Sequence, residues 1–441
     1  MFKEINPLII VPGIGQSKTV LYDENGKEIQ KVWPLDLDEK ALIDAIKVPA
    51  ILSMIFRRDM GFSKKASAEL RRQLDVLATL PDGTSKHNIK AVTYGDRSFA
   101  ECTEDEKNHI RCMIPTKKFA EITGEDGYFF FSYHSFGNID EIVESLEDYI
   151  QKIKEKTGRE KVNLMPLSLG GTVTTAYLKK YGDRQHVDKV ISIVPAYDGS
   201  LLIRDIFEGR IDLRSYVDFF RIFLDEEATN SISKLTRFFP VKVVEKFVGS
   251  VIETLREVIF KNSSMMWGII PHDDYDRLAE KFINDDKNKK LKAMTDNASE
   301  VRKDFIKFIE NQKQNNISMY ILCGYNMNMI SIIESKDVSS DMIVHTKSSS
   351  MGANISLVGQ TLGENYIQKN TVCKDSSHNH ISPDRTVDAS CGALPESTWY
   401  FKNMEHESSA SNDKLMALVR KIMYGEIETV FDDKNYPQFI N

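Results

Sequence analysis

The sequence predicts an α/β protein with a mostly parallel central sheet, helices on both faces of that sheet and an inserted helical cap. Two observations favour this class. Short apolar runs typical of buried strands alternate with segments whose apolar residues recur at helical spacing. In addition, the strand-like run VNLM passes into a helical segment through a tight turn at Ser168, which is followed by Leu169, Gly170 and Gly171.

The strand candidates follow one another along the first part of the chain. Residues 8–11 (LIIV) form a continuous apolar run that ends in the glycine-rich loop PGIGQS. Residues 128–133 (YFFFSY) precede a segment with apolar residues at helical spacing, which stops at Gly158. The run before Ser168 and residues 190–194 (VISIV) come next. Because sites in parallel sheets lie at the carboxyl ends of strands, we expect the PGIGQS loop and Ser168 to be neighbours.

The pattern divides the chain into three parts. Residues 1–200 form the first part of the α/β core, with a candidate lid insertion at about 36–65, and residues 201–314 change to helical patterns and form the cap. The strand pattern resumes at MYILCG, so residues 315–441 form the second part of the core. The insertion has an apolar body and two arginines near its end, which suits a lid or interfacial helix, although a buried helix hairpin explains it equally well.

Composition excludes several classes of protein. A chain of 441 residues with 28% charged and 41% hydrophobic residues has the composition of a soluble globular protein with a large core. The net charge of −7 without a basic stripe argues against nucleic-acid binding. No secretory signal or apolar stretch of membrane-spanning length is present, so we expect a cytoplasmic location. The composition predicts no oligomeric state.

The cysteines and histidines do not form a recognised metal motif. Five cysteines in this length argue against a disulfide framework. Cys102, His109 and Cys112 lie close in sequence but lack a fourth ligand at an established spacing. His378 and His380, in SSHNHIS, are interpreted as part of a polar loop. We therefore expect neither a metal site nor a cofactor.

Ser168 is the candidate nucleophile. A serine on so tight a strand-to-helix turn presents its hydroxyl outside the backbone. The free N–H groups and the positive dipole end of the following helix can stabilise an oxyanion formed beside it. The alternative is an ordinary turn, since Pro166 replaces the first glycine of the G-x-S-x-G pattern.

A serine nucleophile needs a base and an orienting acid, which follow it in the order serine, acid, histidine in one large class of hydrolases. His406 lies between the strand-like segment STWYFKNM and a last amphipathic helix, where a base would be delivered to the carboxyl edge of the sheet. Asp384 lies in a turn before that strand, and Asp388 stays open as an alternative acid.

These segments resemble, in order, the lecithin:cholesterol acyltransferase group of α/β-hydrolases, which includes lysosomal phospholipases. IIVPGIGQS resembles the opening strand and oxyanion loop of the group, and VNLMPLSLGGT resembles its nucleophile turn. MMWGIIPHDDYDRL resembles its cap segment, SPDRTV its acid turn and WYFKNMEHESSASNDKLMALV its histidine loop and final helix. The chain departs from the group at Pro166 and Leu167 before the serine and at residues 134–136, which are His-Ser-Phe.

The resemblance implies an α/β-hydrolase fold and a set of site residues. Ser168 would be the nucleophile, Asp384 the acid, His406 the base, and the backbone N–H groups of Ile14 and Leu169 the oxyanion donors. It implies ester hydrolysis or acyl transfer on a phospholipid or related lipid through an acyl-enzyme intermediate, with transient contact to a membrane or micelle surface. A soluble carboxylesterase for short esters and a non-catalytic binding protein of the same fold are the alternatives.

Overall fold

The computed structural model describes residues 5–35, 37–217, 229–230, 233–234 and 236–441. Residues 218–228, which belong to the predicted cap, lie outside the described residues. The strands are β1 (Leu8–Val11), β2 (Thr19–Tyr22), β3 (Glu28–Trp33), β4 (Ile89–Ala91), β5 (Tyr128–Phe130), β6 (Val162–Pro166), β7 (Val187–Ile193), β8 (Ser318–Tyr325), β9 (Asn354–Ile355), β10 (Val387–Asp388), β11 (Thr398–Lys402) and β12 (Phe439–Ile440).

The described α-helices surround these strands. They are α1 (Glu39–Phe56), α2 (Phe62–Leu74), α3 (Glu104–Met113), α4 (Thr116–Thr123), α5 (Ile139–Thr157), α6 (Gly170–Tyr181), α7 (Leu201–Glu208), α8 (Val241–Leu255), α9 (Ser264–Trp267), α10 (His272–Phe282), α11 (Lys289–Lys303), α12 (Phe305–Gln314), α13 (Thr346–Ser349) and α14 (Asp413–Met423). A π-helical turn, Arg256–Phe260, extends α8.

Seven strands form a parallel central sheet in the order β12-β11-β8-β7-β6-β1-β5. Two small antiparallel sheets accompany it, one of β3, β2 and β4 and one of β9 and β10. The predicted fold class is thereby confirmed. Because all seven strands point the same way, the loops that follow β1, β6, β8 and β11 emerge at one edge of the sheet.

Alternate side chains of each strand enter two separate apolar cores, one on each face of the sheet. In β1, Leu8 and Ile10 pack in one core, and Ile9 and Val11 pack in the other. The first core contains side chains of α3, α4 and α14, and the second contains side chains of α5 and α6. Burial on both faces explains why the strands read as continuous apolar runs.

Helix α5 shows how local sequence sets an element beside this sheet. It begins at Asn138, whose side chain accepts hydrogen bonds from the N–H groups of Asp140 and Glu141, and it ends at Gly158 in the left-handed conformation, with φ 64°. Six of the seven residues predicted for its apolar face are buried, and the seventh, Tyr149, is partly buried; the six are Ile139, Ile142, Val143, Leu146, Ile150 and Ile153.

The chain between β7 and β8 forms helices α7 to α12, whose apolar side chains, such as Phe207 and Trp267, join the core on the α5 side of the sheet. The assignment of residues 201–314 to a separate cap stays a prediction. Helices α1 and α2 cover most of the candidate lid insertion at about 36–65. No helix in the described ranges combines the length and apolar character needed to cross a membrane.

Candidate active site

Ser168 lies on the turn between β6 and α6, with a positive φ of 50°. This conformation is uncommon for a residue with a side chain. The two glycines after the serine allow close packing at this turn. A Cβ at Gly170 would lie 2.1 Å from the carbonyl oxygen of Val11, and one at Gly171 would lie 2.9 Å from Cβ of Pro195. The predicted strand-to-helix turn is therefore present, and Ser168 itself is only partly buried.

His406 lies in the loop that follows β11, as predicted, and its imidazole faces Ser168. The distance between His406 Nε2 and Ser168 Oγ is 2.9 Å. The side chain of His406 is 12% exposed, so the ring is largely enclosed by protein. The structure thus brings together two residues that lie far apart in the sequence.

The carboxylate that contacts His406 belongs to Asp341. The prediction that Asp384 or Asp388 lies against His406 is wrong. Asp341 Oδ2 lies 2.8 Å from His406 Nδ1. The backbone N–H of His406 also donates to the carbonyl oxygen of Asp341, at 2.9 Å. The other carboxylate oxygen, Oδ1, accepts from the N–H groups of Ile343 and Val344 at 3.0 and 2.7 Å. These bonds orient a side chain that is only 1% exposed.

Asp384 and Asp388 have other partners. Asp384 pairs with the ammonium group of Lys402 at 2.7 Å and accepts hydrogen bonds from Ser382 and Thr386. Burial opposes ionisation of Asp384, but these partners outweigh it and lower the pKa of the carboxyl group to about 2.

Asp388 accepts from the Tyr366 hydroxyl at 2.8 Å and from the N–H of Lys369 at 2.9 Å. Its second oxygen accepts from the hydroxyl of Ser390 at 2.6 Å. Both aspartates therefore stabilise turns within the region between β9 and β11.

Asp341 had a weaker sequence signal than Asp384, because no short motif surrounds it. It comes after the predicted strand MYILCG, which is part of β8, and β8 pairs with β11 in the sheet. Loops from the carboxyl ends of paired strands meet, so the loop after β8 was the place to look for the acid. Gly324, near the end of β8, makes room for this meeting, since a Cβ there would lie 2.7 Å from the carbonyl oxygen of Met404 and 2.8 Å from Cβ of Asp341.

The charge of Asp341 affects protonation of His406. Burial of the imidazole disfavours its charged form, but the negative charge of Asp341 and the hydrogen bond to it outweigh burial, so the pKa of His406 lies above its usual value. A carboxylate at Nδ1 also selects the tautomer with the proton on that nitrogen, which leaves Nε2 free to accept the proton of the Ser168 hydroxyl.

The PGIGQS loop approaches Ser168 closely: a Cβ at Gly13 would lie 3.1 Å from Cβ of Ser168. Three N–H groups of this loop donate within the protein. That of Gly13 donates to the side chain of Gln16 at 2.6 Å, that of Gly15 to Ser135 Oγ at 2.9 Å, and that of Gln16 to the carbonyl oxygen of Gly13 at 3.3 Å. The N–H of Ile14 has no acceptor among the described residues.

The turn at Ser168 also contains an N–H group without an acceptor. The N–H groups of Ser168, Gly170, Gly171 and Thr172 all donate to backbone carbonyl oxygens, whereas that of Leu169 has no acceptor in the described parts of the chain. The two N–H groups predicted as oxyanion donors are thus both without an acceptor among the described residues, which suits that role.

Two contacts that the sequence did not reveal fix the PGIGQS loop. Ser135, one of the residues where the chain departs from the resembled group, accepts the hydrogen bond from Gly15. The indole N–H of Trp33 donates to the carbonyl oxygen of Gly15 at 2.7 Å, and a Cβ at Gly15 would lie 2.8 Å from that ring. Residues 15 and 33 are therefore packed directly against each other at the base of the loop.

Comparison with protein families identifies the fold. A family profile described as "alpha/beta hydrolase fold" matches residues 106–231, which include Ser168. The structure is similar to that of phospholipase PlaB from Legionella pneumophila, with 14% sequence identity and a TM-score of 0.26 over 59% of this chain and 44% of that chain. For the same phospholipase in complex with thio-NAD the values are 14%, 0.27, 59% and 42%. No curated protein matches the chain.

The family profile and the seven-stranded parallel sheet establish the α/β-hydrolase fold. The chain aligns with less than half of the PlaB chain. The lecithin:cholesterol acyltransferase group is not among these matches, so membership in it stays a prediction.

Proposed function

We propose that this chain is a serine-dependent hydrolase or acyltransferase that acts on lipid esters through an acyl-enzyme intermediate. The observation that carries the proposal is the continuous series of contacts from Asp341 through His406 to Ser168, at 2.8 and 2.9 Å. A partly exposed hydroxyl, a histidine in hydrogen-bond contact with it and a buried orienting carboxylate fit the roles of nucleophile, base and acid.

In the first half of the reaction, Ser168 Oγ attacks the carbonyl carbon of the ester and His406 Nε2 takes the hydroxyl proton. Asp341 stabilises the resulting imidazolium through its bond to Nδ1. The N–H groups of Ile14 and Leu169 bind the negatively charged oxygen of the tetrahedral intermediate. His406 then returns its proton to the oxygen of the leaving alcohol as the carbon–oxygen bond breaks, which leaves an acyl group on Ser168.

In the second half, a water molecule or an alcohol attacks the acyl carbonyl carbon. His406 removes the proton of the attacking hydroxyl and gives it to Ser168 Oγ as the acyl–serine bond breaks. Water gives a free fatty acid, and an alcohol gives a new ester. The same three side chains serve both acceptors, so the chemistry of the site supports hydrolysis and acyl transfer alike.

Helix α1 supports lipid as the substrate class. Val48, Ile51 and Ile55 lie on one side of this helix at helical spacing and are 63%, 46% and 66% exposed. Phe56, at the end of the same helix, is 55% exposed, and the exposed Arg57 and Arg58 follow it. An exposed apolar helix face flanked by cations is typical of helices that lie in a lipid–water interface.

Helix α1 also lies close in the chain to a residue that packs on the oxyanion loop. It begins six residues after Trp33, whose ring packs on Gly15 in the loop that carries the Ile14 N–H group. Displacement of α1 at a lipid surface would therefore act on residues next to the oxyanion loop. This arrangement favours an enzyme that works at an interface over one that works only on dissolved esters.

The test is ester turnover by the 441-residue chain and its Ser168→Ala variant, with acyl chains from short to long presented as monomers and in phospholipid vesicles. We expect Ser168→Ala to lower kcat by about 10⁵-fold, because the three side chains act as a unit. Ser356→Ala is a matched control, since that residue is partly exposed and its hydroxyl donates to the carbonyl oxygen of Gln360.

The outcomes separate the alternatives. Serine-dependent turnover that rises with acyl-chain length and with vesicles supports a lipid acyl hydrolase or transferase. Serine-dependent turnover of dissolved short esters alone would instead indicate a carboxylesterase. Equal behaviour of the wild-type and Ser168→Ala proteins on every ester would overturn the mechanism and favour a binding protein.

The contribution of α1 is tested with the double variant Ile51→Glu and Ile55→Glu. We expect its turnover of dissolved esters to match that of the wild type, while its activity on vesicles falls about tenfold, because two apolar anchors are lost from the interface. Ile306→Glu is the control, since Ile306 is 46% exposed on α12. Equal vesicle activity of the double variant and the wild type would remove α1 from the proposal.

A further inference from the structure

We infer that Cys373, His378 and His380 form a zinc-binding site, separate from the Ser168 centre. One ligand atom from each of the three residues lies within 4.8 Å of the other two. Cys373 and His380 are buried, and His378 is partly exposed. The proposal departs from the expectation of a polar loop without a metal, and it does not depend on the proposed esterase activity.

The hydrogen bonds of Gln438 determine which nitrogen His380 can offer. The amide nitrogen of Gln438 donates to the carbonyl oxygens of Pro395 and Thr398 at 2.6 and 3.2 Å. Its amide oxygen must therefore be the atom that faces His380, and it accepts a hydrogen bond from His380 Nδ1 at 2.8 Å. The proton of the imidazole lies on Nδ1, and Nε2 carries a free lone pair.

The lone pair on His380 Nε2 has no hydrogen-bond partner among the described residues, although the whole residue is 0% exposed. An unpaired buried nitrogen is costly in free energy, and a metal ion satisfies it. Histidines that bind metals commonly donate their other N–H to a protein oxygen, which fixes the ring and the tautomer. Gln438 provides that contact to His380.

The spacing of the remaining atoms suits tetrahedral coordination. Sulfur and nitrogen ligands at ordinary zinc bond lengths lie about 3.5 Å apart across a tetrahedral angle, and Cys373 Sγ lies 3.6 Å from His378 Nδ1. The carboxylate of Glu396 is a candidate fourth ligand, since its Oε1 lies 3.4 Å from His378 Nδ1 and 3.9 Å from Cys373 Sγ. Glu396 is partly exposed, so an ion can enter from that side.

The donor set selects zinc over magnesium or calcium. A thiolate and two imidazoles are softer ligands than the oxygen atoms that magnesium and calcium require. On binding, the Cys373 thiol loses its proton to solvent and the thiolate sulfur bonds to the ion. With Glu396, the four ligands have the count of a closed structural site.

The ion would connect segments that lie apart in the sequence. The ring of His378 packs on Phe431 near the C-terminus, with ring centroids 4.2 Å apart, and Gln438 belongs to the same segment. Glu396 belongs to the turn Pro395–Ser397, which leads directly into β11. The site would thus connect the loop around residue 375, and the C-terminal segment packed on it, to the start of β11. The other end of β11 leads to His406.

The experiment uses the tag-free 441-residue chain purified without chelators. We expect about one zinc ion per chain by elemental analysis. After removal of the metal, readdition of zinc should raise the Tm by roughly 3 °C. Substitution with cobalt(II) should give a thiolate-to-cobalt charge-transfer band together with strong visible absorption of a tetrahedral ion. The metal alone is the probe in each measurement.

Cys373→Ser should remove the charge-transfer band, and His380→Ala should lower the zinc content and abolish the Tm response. Glu396→Gln should weaken zinc binding by about tenfold to hundredfold without abolishing it. Cys112→Ser is the matched control, because Cys112 is exposed and lies on α3.

If a ligand variant does not fold, the cobalt spectrum of the wild-type protein remains a direct test. Failure of the wild-type protein to bind zinc or cobalt would overturn the proposal, as would an unchanged charge-transfer band in folded Cys373→Ser. Neither result bears on turnover by Ser168, so the two proposals fail independently.

Discussion

The loop that carries Asp341 and the turn that carries Asp384 are closed by the same kind of hydrogen bond. In each, one carboxylate oxygen accepts hydrogen bonds from groups two or three residues away, which closes a turn. The loops differ in what the second oxygen meets. In Asp341 it meets His406, and in Asp384 it meets Lys402.

This difference shows that a turn motif around an aspartate does not specify a catalytic partner. Asp341 follows β8, which is paired with β11, and its loop reaches the histidine that follows β11. Asp384 precedes β11 in the chain and contacts Lys402, the last residue of that strand. The place of the loop in the sheet decides its partner, and the local sequence decides only that a turn forms.

The largest expected effect is on kcat, and it distinguishes Asp341 from Asp384. We expect Asp341→Asn to lower kcat by about 10⁴-fold, because the amide no longer holds the required tautomer of His406 or stabilises its charged form. Asp384→Asn should leave kcat within about twofold of the wild type, since that carboxylate does not contact the base. Steady-state kinetics of both variants decide the matter, and a large loss in Asp384→Asn alone would reverse the assignment.

The next effect concerns the glycine that lets the Asp341 loop approach His406. We expect Gly324→Ala to lower kcat by about 10²-fold, because its Cβ would displace the backbone at Met404 or Asp341 and misalign the base. Gly249→Ala is the control, since a Cβ there meets only a side-chain carbon of Leu213 at 3.6 Å. Equal kinetics for both variants would mean that the approach of the two loops does not govern the geometry of the base.

The third prediction uses pH. In the proposed mechanism the unprotonated imidazole of His406 is the base, so kcat/KM should rise with pH through the raised pKa of His406. Loss of the Asp341 charge removes the main influence that raises this pKa. In Asp341→Asn, the inflection of the residual activity should therefore move to lower pH. An inflection that stays in place would indicate that another group limits the wild-type profile.

The smallest effect is on stability and concerns Asp384. Its pKa is lowered to about 2 in the folded protein from an ordinary 3.8. The ion pair therefore stabilises the fold above pH 3.8, and this contribution is lost as the pH falls through about 2. Because the pair is partly exposed, we expect Asp384→Asn to lower the free energy of unfolding at pH 7 by about 1 kcal/mol.

Urea unfolding of Asp384→Asn and the wild type at pH 7 and pH 3 measures this contribution, and the gap between the two proteins should narrow at the lower pH. Lys402→Met should show a loss of similar size at pH 7, since it removes the other partner. A gap that widens on acidification would contradict the sign of the pKa change in Asp384.

Local signals were sufficient for the elements that carry Ser168 and His406. Continuous apolar runs marked the strands, helical periodicity and Gly158 marked α5, and the small residues after Ser168 marked the turn. Each of these signals acts over a few residues, because strand burial, helix capping and steric space at a glycine are local properties.

The partners of these residues required the tertiary structure. Asp341 meets His406 because β8 and β11 are neighbours in the sheet, and no spacing in the sequence records that order. His380 and Gln438 meet for a similar reason, since the end of the chain returns to the sheet as β12 beside β11. The sequence by itself therefore determined the fold class, the Ser168 turn and the loop of His406. Strand order decided which aspartate reaches the histidine, because strand order sets which loops share an edge.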